Sequence, residues 1–282
     1  MLASFTELLP LLERRNACLP AFDIAGGQSD FLLGVLGACQ QARCPAVLLV
    51  WAPGTSYIGL EACAELVGFF ARASSVPVVL HLDHGQDEQL VTQALRLGFR
   101  SVMFDGSALP LEDNIRRTRA LAELAHAQGA CIEGELGQFG QEQLAREGDA
   151  CLTDPLQAGQ FVRQTGVDLL APAVGNAHGF YRQKPQLRFD LVREIRAQAG
   201  VPLSLHGGTG LPMEDIRRCA ALGVRKLNVA SQLHKDFTDA LAGQSLKTHG
   251  PYDWRKILDA GRSAIVATVA GYLKELGVEG LV

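Results

Sequence analysis

The chain has 282 residues, 48% of them hydrophobic and 20% charged, so it can bury a large core and is not a disordered sequence. Its net charge of −4 comes without any Lys/Arg-rich block, which argues against a nucleic-acid-binding surface. No apolar run is long enough for a membrane span, the N-terminus does not resemble a signal peptide, and the seven cysteines form no CxxC pair, so we expect a cytoplasmic protein with reduced thiols and no membrane attachment.

Eight short apolar segments rich in Val, Leu and Ile are predicted to be strands that are buried on both faces. They span residues 18–24, 46–51, 76–82, 99–104, 130–135, 167–174, 201–205 and 224–229. Segments with helical spacing of apolar residues lie between them, at 29–42, 87–97, 109–128, 190–198 and 231–243. A short amphipathic helix is predicted at 5–15, and a helical C-terminal extension at 254–276. Strands that alternate with helices predict an α/β (β/α)8 TIM barrel formed by a single domain, 1–282, with an open doubly wound sheet as the alternative.

Three histidines stand where predicted strands 3, 6 and 7 end, the edge at which barrels of this kind carry their chemistry. These residues, His84, His178 and His206, are each followed by Gly. Three converging imidazoles leave a fourth position open on a metal, which is the arrangement of a catalytic zinc site. The alternative is three unrelated capping or core histidines. The remaining histidines are expected to be buried structure (His81) or exposed (His126, His234 and His249).

Carboxylates accompany these histidines. Asp83 precedes His84, where it could move protons to and from a metal-bound substrate or orient a ligand. Asp105, Glu133 and Glu135 end the next two strands. Their possible roles are an alternative metal position, hydrogen bonds to the histidines, and ion pairs with cations inside the barrel.

A phosphate site is expected near strands 7 and 8, where barrels often use backbone N–H groups and a helix N-terminus. The residues that could form it are Gly179, Gly207, Gly208, Thr209, Gly210, Asn228 and Ser231. A metal beside a phosphate pocket indicates a phosphorylated carbonyl substrate. No Lys is placed on strand 6 to form the Schiff base of a metal-free route.

Six motifs occur in a fixed order along the chain: HLDHG, MFDGS, EGELG, GNAHGFY, LHGGTG and KLNVAS. In these motifs the chain resembles the class II (zinc-dependent) fructose-bisphosphate and tagatose-bisphosphate aldolase family from about residue 19 to residue 271. The resemblance implies a lyase of carbohydrate metabolism that reversibly cleaves a ketose phosphate or bisphosphate. The products would be dihydroxyacetone phosphate and an aldehyde, in the first place glyceraldehyde 3-phosphate. It also implies a homodimer or homotetramer.

The resemblance assigns roles residue by residue. His84, His178 and His206 would bind catalytic Zn²⁺. Asp83 would be the acid/base for the oxygen on the far side of the cleaved bond. The family's carboxylates near the metal would be Asp105 and Glu135, and the groups holding the dihydroxyacetone phosphate half would be Gly179, Gly207, Thr209, Asn228 and Ser231. A monovalent cation, Na⁺ or K⁺, often binds in the family to carbonyls that here would lie near Ala177, Gly179 and Gly207.

The chain departs from the family at three places. Asp23 stands where Asn is usual, and Trp51-Ala52-Pro53 follows strand 2 where Ser or Thr is usual. The catalytic Glu of the long loop, 137–154, falls on Gln143, and a small loop shift would give its role to Glu142.

Arg255 resembles the family's Arg that contacts the second phosphate. It could bind that phosphate, which we favour, or pair with Asp23 and leave room for a different aldehyde. The competing functions are a non-catalytic sugar-phosphate-binding partner subunit, an aldolase for another aldehyde, and a barrel isomerase or epimerase.

Overall fold

Eight parallel strands close into a barrel in a computed structural model that describes residues 2–137, 140–141, 152–181, 186–244 and 253–282. The strands are Leu19–Asp23 (β1), Ala46–Trp51 (β2), Val78–Gly85 (β3), Ser101–Phe104 (β4), Cys131–Leu136 (β5), Leu169–Pro172 (β6), Leu203–Leu205 (β7) and Val224–Val229 (β8). Because β1 pairs with both β2 and β8, the sheet has no open edge. The prediction of a barrel is therefore confirmed, and every predicted strand overlaps an observed one.

Ten α-helices lie in the described part of the chain. They are Phe5–Arg15 (α1), Ser29–Gln41 (α2), Leu60–Ala73 (α3), Glu88–Arg96 (α4), Leu111–Ala127 (α5), Pro155–Thr165 (α6), Phe189–Ala199 (α7), Met213–Ala221 (α8), Ser231–Ala242 (α9) and Trp254–Glu275 (α10). The sequence did not predict α3, α6 and α8. Their buried residues do have helical spacing, as with Ile216, Cys219 and Ala220 of α8, so the signal was present and was missed. None of the helices in these described ranges is long and apolar enough to cross a membrane.

The N-terminal helix α1 begins and ends with specific contacts. Ser4 and Glu7 form a capping box at its start, in which the Ser4 backbone N–H donates to the Glu7 carboxylate at 3.0 Å. Near its end, Glu13 accepts a hydrogen bond of 2.9 Å from Arg225, which lies at the beginning of β8. The helix is thereby fixed to the end of the barrel opposite the predicted site.

The C-terminal helix α10 packs on the outside of the barrel against α2 and α9. Two glycines permit this close packing. A Cβ on Gly34 would come within 2.8 Å of Ile265, and one on Gly261 within 2.5 Å of Phe237. The six cysteines that the structure describes are buried and free, as expected for a chain without a disulfide framework.

The interior of the barrel contains a buried polar cluster beneath its mouth. His81 is 1% exposed and its Nδ1 lies 2.7 Å from the Ser101 hydroxyl, which confirms its buried position. Lys226 Nζ, also fully enclosed, donates to Glu133 Oε2 at 2.9 Å. Since buried charges are stable only when paired, this ion pair connects β5 and β8 at the level just below the site.

Candidate active site

The three predicted histidines converge at the C-terminal end of the barrel. His84 ends β3, His206 follows β7, and His178 lies in a two-residue strand, Ala177–His178, that pairs with Gly140–Gln141. One ring nitrogen of each lies within 4.8 Å of those of the other two. His84 has a φ of +52° where the register between β3 and β4 shifts, an unusual backbone conformation for a residue other than glycine. The end of β3 is thus bent at the residue whose side chain faces the other two rings.

The hydrogen bonds of His84 and His206 leave one nitrogen of each ring facing the other. His84 Nδ1 lies 3.1 Å from Asp105 Oδ2, and His206 Nε2 lies 2.7 Å from Glu133 Oε1. The remaining nitrogens, His84 Nε2 and His206 Nδ1, are 3.0 Å apart. One of these two nitrogens carries a proton and donates to the other, and a divalent cation that replaces that proton would be bound by both. The donor set therefore fits a metal ion held by three imidazoles.

The partner of His206 is itself held in place. Glu133 accepts from His206 with one oxygen and from Lys226 with the other. Burial acts to raise the pKa of Glu133, but Lys226 and His206 outweigh it and hold that pKa well below its usual range. An ionised Glu133 fixes the proton of His206 on Nε2, so that Nδ1 is the ring nitrogen facing His84.

The ionisation of the three rings follows from their surroundings. Burial, with His84 and His206 nearby, lowers the pKa of His178 to about 3. Burial also lowers the pKa of His206, against the opposing effect of Glu133. Burial acts in the same direction on His84, but there the carboxylates of Asp83, Asp105 and Glu135 prevail and raise the pKa to about 9. The concentrated negative charge around His84 attracts a cation, whether a proton or a metal.

Asp105 and Glu135 lie beside the Nδ1 atom of His84. Glu135 Oε2 is 3.4 Å from that nitrogen, and His84, Asp105 and Glu135 form a second group with metal-ligand spacing. Burial, followed by repulsion from Asp105, raises the pKa of Glu135 well above its usual range. Burial acts to raise the pKa of Asp105 too, but hydrogen bonds from His84 and Ser107 lower it. The hydrogen bond to Asp105 occupies the nitrogen through which His84 would join this second group.

Asp83 lies inside the barrel next to the three rings. Its Oδ1 accepts a hydrogen bond of 2.8 Å from the Asn228 side-chain amide, and the side chain is 7% exposed. Burial acts to raise the pKa of Asp83, but the facing His84 and His206 outweigh it and lower that pKa. Asp83 is therefore an ionised carboxylate with one oxygen fixed, as a proton acceptor requires.

The predicted phosphate loop follows β7 and approaches β8 and the Ala177–His178 segment closely. Gly207 has a φ of +66°, and a Cβ there would stand 2.0 Å from the Ala177 carbonyl, so only glycine fits. The Gly208 N–H already donates to the Asn228 carbonyl at 3.0 Å and is not available to a phosphate. Thr209 Oγ1 accepts from the N–H of Gln232, in the first turn of α9. This leaves its O–H as a donor near a helix N-terminus.

The carbonyls predicted for a monovalent cation lie next to Tyr181. The Tyr181 hydroxyl accepts the Ala177 N–H at 2.9 Å and donates to the Gly207 carbonyl at 3.0 Å. The Gly207 oxygen has two lone pairs, and the Tyr181 hydroxyl engages one of them. Gly179, with a φ of +91°, and Ser231, the first residue of α9, flank this region.

Asp23 and Arg255, which the family resemblance places near the aldehyde half of the substrate, have partners that the sequence did not predict. Asp23, at the end of β1, is bonded through Oδ2 to His234 Nε2 at 2.7 Å. Arg255 donates from Nε to Asp253 at 3.0 Å, and its side chain is 77% exposed. The predicted catalytic residue of the loop, Glu142 or Gln143, lies outside the described residues.

Sequence reasoning missed the supporting roles of Lys226 and His234. Lys226 alternates with Asn228 along β8, so the period of two would have placed it inside the barrel. His234 was predicted to be exposed, and its side chain is 46% exposed, but its pairing with Asp23 had no local signal.

Comparison with known proteins agrees with the six motifs. The family model for class II fructose-bisphosphate aldolase matches residues 3–281. The fructose-bisphosphate aldolase of Geobacillus stearothermophilus is 37% identical over 283 residues, with 99% of this chain and 98% of that protein covered. The sulfofructosephosphate aldolase of Alkalicoccus urumqiensis is 34% identical, with 89% and 88% covered. The crystal structure of the YdjI aldolase from Escherichia coli K12 has a TM-score of 0.87 at 29% identity, with 99% of both chains covered. The chain therefore belongs to the class II fructose-bisphosphate aldolase family, whose members are lyases.

Proposed function

We propose that this protein is a zinc-dependent aldolase that reversibly cleaves a ketose 1-phosphate or 1,6-bisphosphate of the fructose or tagatose type. The products are dihydroxyacetone phosphate and an aldehyde, which for a bisphosphate is glyceraldehyde 3-phosphate. The observation that carries this proposal is the pair of facing nitrogens, His84 Nε2 and His206 Nδ1, beside the ionised Asp83. The two relatives are named for differently substituted phosphorylated ketoses, which supports a fixed ketose-phosphate half and a variable second half.

His84, His178 and His206 would hold the ion, which when bound supplies a Lewis acid that polarises the substrate carbonyl. Asp83 accepts the proton of the C4 hydroxyl while the C3–C4 bond breaks. The bond's electron pair passes to C3, which takes up a proton from water to complete dihydroxyacetone phosphate, and the C4 oxygen becomes the carbonyl of the aldehyde. Asn228 holds Asp83 Oδ1, which leaves Oδ2 for that proton. A catalytic role for Glu142 stays a prediction.

We assign the substrate phosphate to the N–H groups of Gly179 and Gly207 and to the hydroxyls of Thr209 and Ser231, at the N-terminus of α9. Gly208 has a supporting role because its N–H is already bonded. A Na⁺ or K⁺ ion on the carbonyls near Ala177, Gly179 and Gly207 stays part of the proposal. We also propose a cytoplasmic homodimer or homotetramer, and a monomer in light scattering at micromolar concentration would contradict that.

The test measures dihydroxyacetone phosphate release with an NADH-linked reductase, before and after chelation and after reloading with zinc or cobalt. The substrates are the 1-phosphates and 1,6-bisphosphates of D-fructose and D-tagatose. We expect release that is lost on chelation and restored by the metal. Full activity in a verified metal-free sample would exclude the proposed chemistry. Binding without release would indicate the non-catalytic partner subunit, and isomerised sugar without release would indicate an isomerase.

A further inference from the structure

The ends of β1, β2 and β3 present three side chains to the inside of the barrel mouth: Asp23, Trp51 and Asp83. Phe22 faces outward, because its ring packs edge-on against Tyr272 of α10 with centroids 6.0 Å apart, so its neighbour Asp23 faces inward. Trp51 is paired in register with Asp83, and paired residues of neighbouring strands leave the sheet on the same side. Trp51 and Asp23 are therefore the side chains next to the acid/base on this side of the mouth.

Trp51 is the only solvent-exposed residue of β2. Its other residues are completely buried, whereas Trp51 is 49% exposed. Isolated exposed aromatic residues are common on outer surfaces, as with Phe69 on α3, which packs on Phe70. Trp51 differs because it lies on the inner face beside Asp83. An open indole there offers an apolar plane to the carbon skeleton of a sugar and an N–H donor to its hydroxyls.

Asp23 offers an acceptor and a negative charge. Its carboxylate is 4% exposed, with Oδ2 bonded to His234, and within the described ranges Oδ1 has no hydrogen-bond partner. A buried acceptor without a donor is costly, and a substrate hydroxyl is the donor that would satisfy it. A phosphate dianion has no proton to donate and is repelled by the same carboxylate.

Arg255, the cation that the family resemblance assigns to a second phosphate, is bonded elsewhere. Its guanidinium pairs with Asp253, two residues away, and projects largely into water. The partner of Asp23 is the His234 imidazole and not this guanidinium. The described residues thus place a carboxylate, an imidazole and an indole at this end of the site, which suits hydroxyl groups better than a phosphate.

We propose that the aldehyde half of the substrate is an uncharged polyhydroxylated aldehyde, packed on Trp51 and bonded through a hydroxyl to Asp23, so that ketose 1-phosphates are preferred to 1,6-bisphosphates. His234 holds Asp23 in position. This proposal rests on the aldol chemistry proposed above and specifies the substrate half that the metal and the phosphate loop do not contact.

The experiment compares kcat/KM for the 1-phosphate and the 1,6-bisphosphate of D-fructose and of D-tagatose, by release of dihydroxyacetone phosphate. The native protein is expected to prefer the 1-phosphates at least ~10-fold, and Asp23→Asn should raise the relative rate on bisphosphates ~10–100-fold by removing a like charge. Trp51→Ala should lower kcat/KM for the 1-phosphates ~10-fold through KM, and Trp51→Phe, which keeps an aromatic plane, should retain most of it.

Two matched controls should leave the substrate ratio unchanged. His126→Gln breaks a similar His–Asp pair, to Asp168 at 3.1 Å, in the last turn of α5 at the opposite end of the barrel. Phe69→Ala removes an exposed aromatic ring from an outer helix.

A native preference for bisphosphates that Arg255→Ala abolishes would overturn this inference, and so would an unchanged ratio in Asp23→Asn. Either result would leave the aldolase proposal intact. Failure of all four substrates to release dihydroxyacetone phosphate, with zinc bound, would instead contradict the aldolase proposal itself.

Discussion

The barrel mouth has two sides that are built differently: a metal side with the three histidines and Asp83, and an aldehyde side with Asp23 and Trp51. On the metal side, three functional side chains have a second partner that fixes them: His84 is held by Asp105, His206 by Glu133, and Asp83 by Asn228. On the aldehyde side, Trp51 is half exposed, and Asp23 depends on the half-exposed His234. The comparison suggests that the geometry of the bond-breaking groups is determined by many contacts, whereas substrate choice depends on a few that can change without disturbing the rest.

The largest effect should come from removing a metal ligand. His206→Ala deletes a ring nitrogen of the three-histidine set, and its loss should exceed the ~10–100-fold cost of removing an outer hydrogen-bonding partner. Zinc content by elemental analysis should fall together with activity. His126→Ala, an exposed ring on α5, should change neither. Native zinc content in His206→Ala would refute the assigned ligand set.

Asp83→Asn tests the proposed acid/base on the metal side. It preserves shape but removes the proton acceptor, so turnover should fall ~10²–10⁴-fold while zinc content and most substrate affinity persist. Steady-state kinetics and zinc analysis on the same preparation check this. Turnover like that of the native protein would assign Asp83 to orienting a ligand.

Loss of the buried Lys226–Glu133 ion pair beneath the metal side should destabilise the protein strongly. Lys226→Met leaves Glu133 charged, buried and without its ammonium partner, which should reduce the free energy of unfolding by ~3–5 kcal/mol. Lys235→Met is the matched control, because Lys235 forms an exposed pair with Asp239 one turn along α9, and solvent screens that pair, so its loss should destabilise the protein far less. Urea unfolding measures both, and equal losses would contradict the distinction.

A substitution on the aldehyde side should lower the free energy of unfolding only slightly. Trp51→Ala removes a ring that is half in water, so we expect a loss of ~1 kcal/mol. Leu49→Ala, two residues earlier on the same face of β2 and fully buried, should cost ~2–5 kcal/mol. Urea midpoints of the two variants decide this. A larger loss in Trp51→Ala would mean that the indole supports the barrel and does not merely line its mouth.

The sequence predicted the convergence of the three histidines because its signals are local. Each histidine of the set lies within four residues of the end of a predicted apolar strand and precedes Gly, and strand order in a barrel brings such ends together. Gly208 shows the limit of this reasoning, since its N–H was counted for phosphate but is bonded to the Asn228 carbonyl of the neighbouring strand. That bond depends on the register between β7 and β8, which no single segment encodes.

The sequence by itself determined the eight strands, the alternation that favours a barrel over an open sheet, and the residue types at the strand ends, because apolar periodicity and short motifs are properties of neighbouring residues. Only the tertiary structure decided which of these side chains contact one another. His234 meets Asp23 across 211 residues of chain, and Trp51 lies beside Asp83 because β2 and β3 pair in one register and not another. A shift of one residue would turn Trp51 to the other face of the sheet. Which side chains line the aldehyde side is therefore decided by the strand register that closes the barrel.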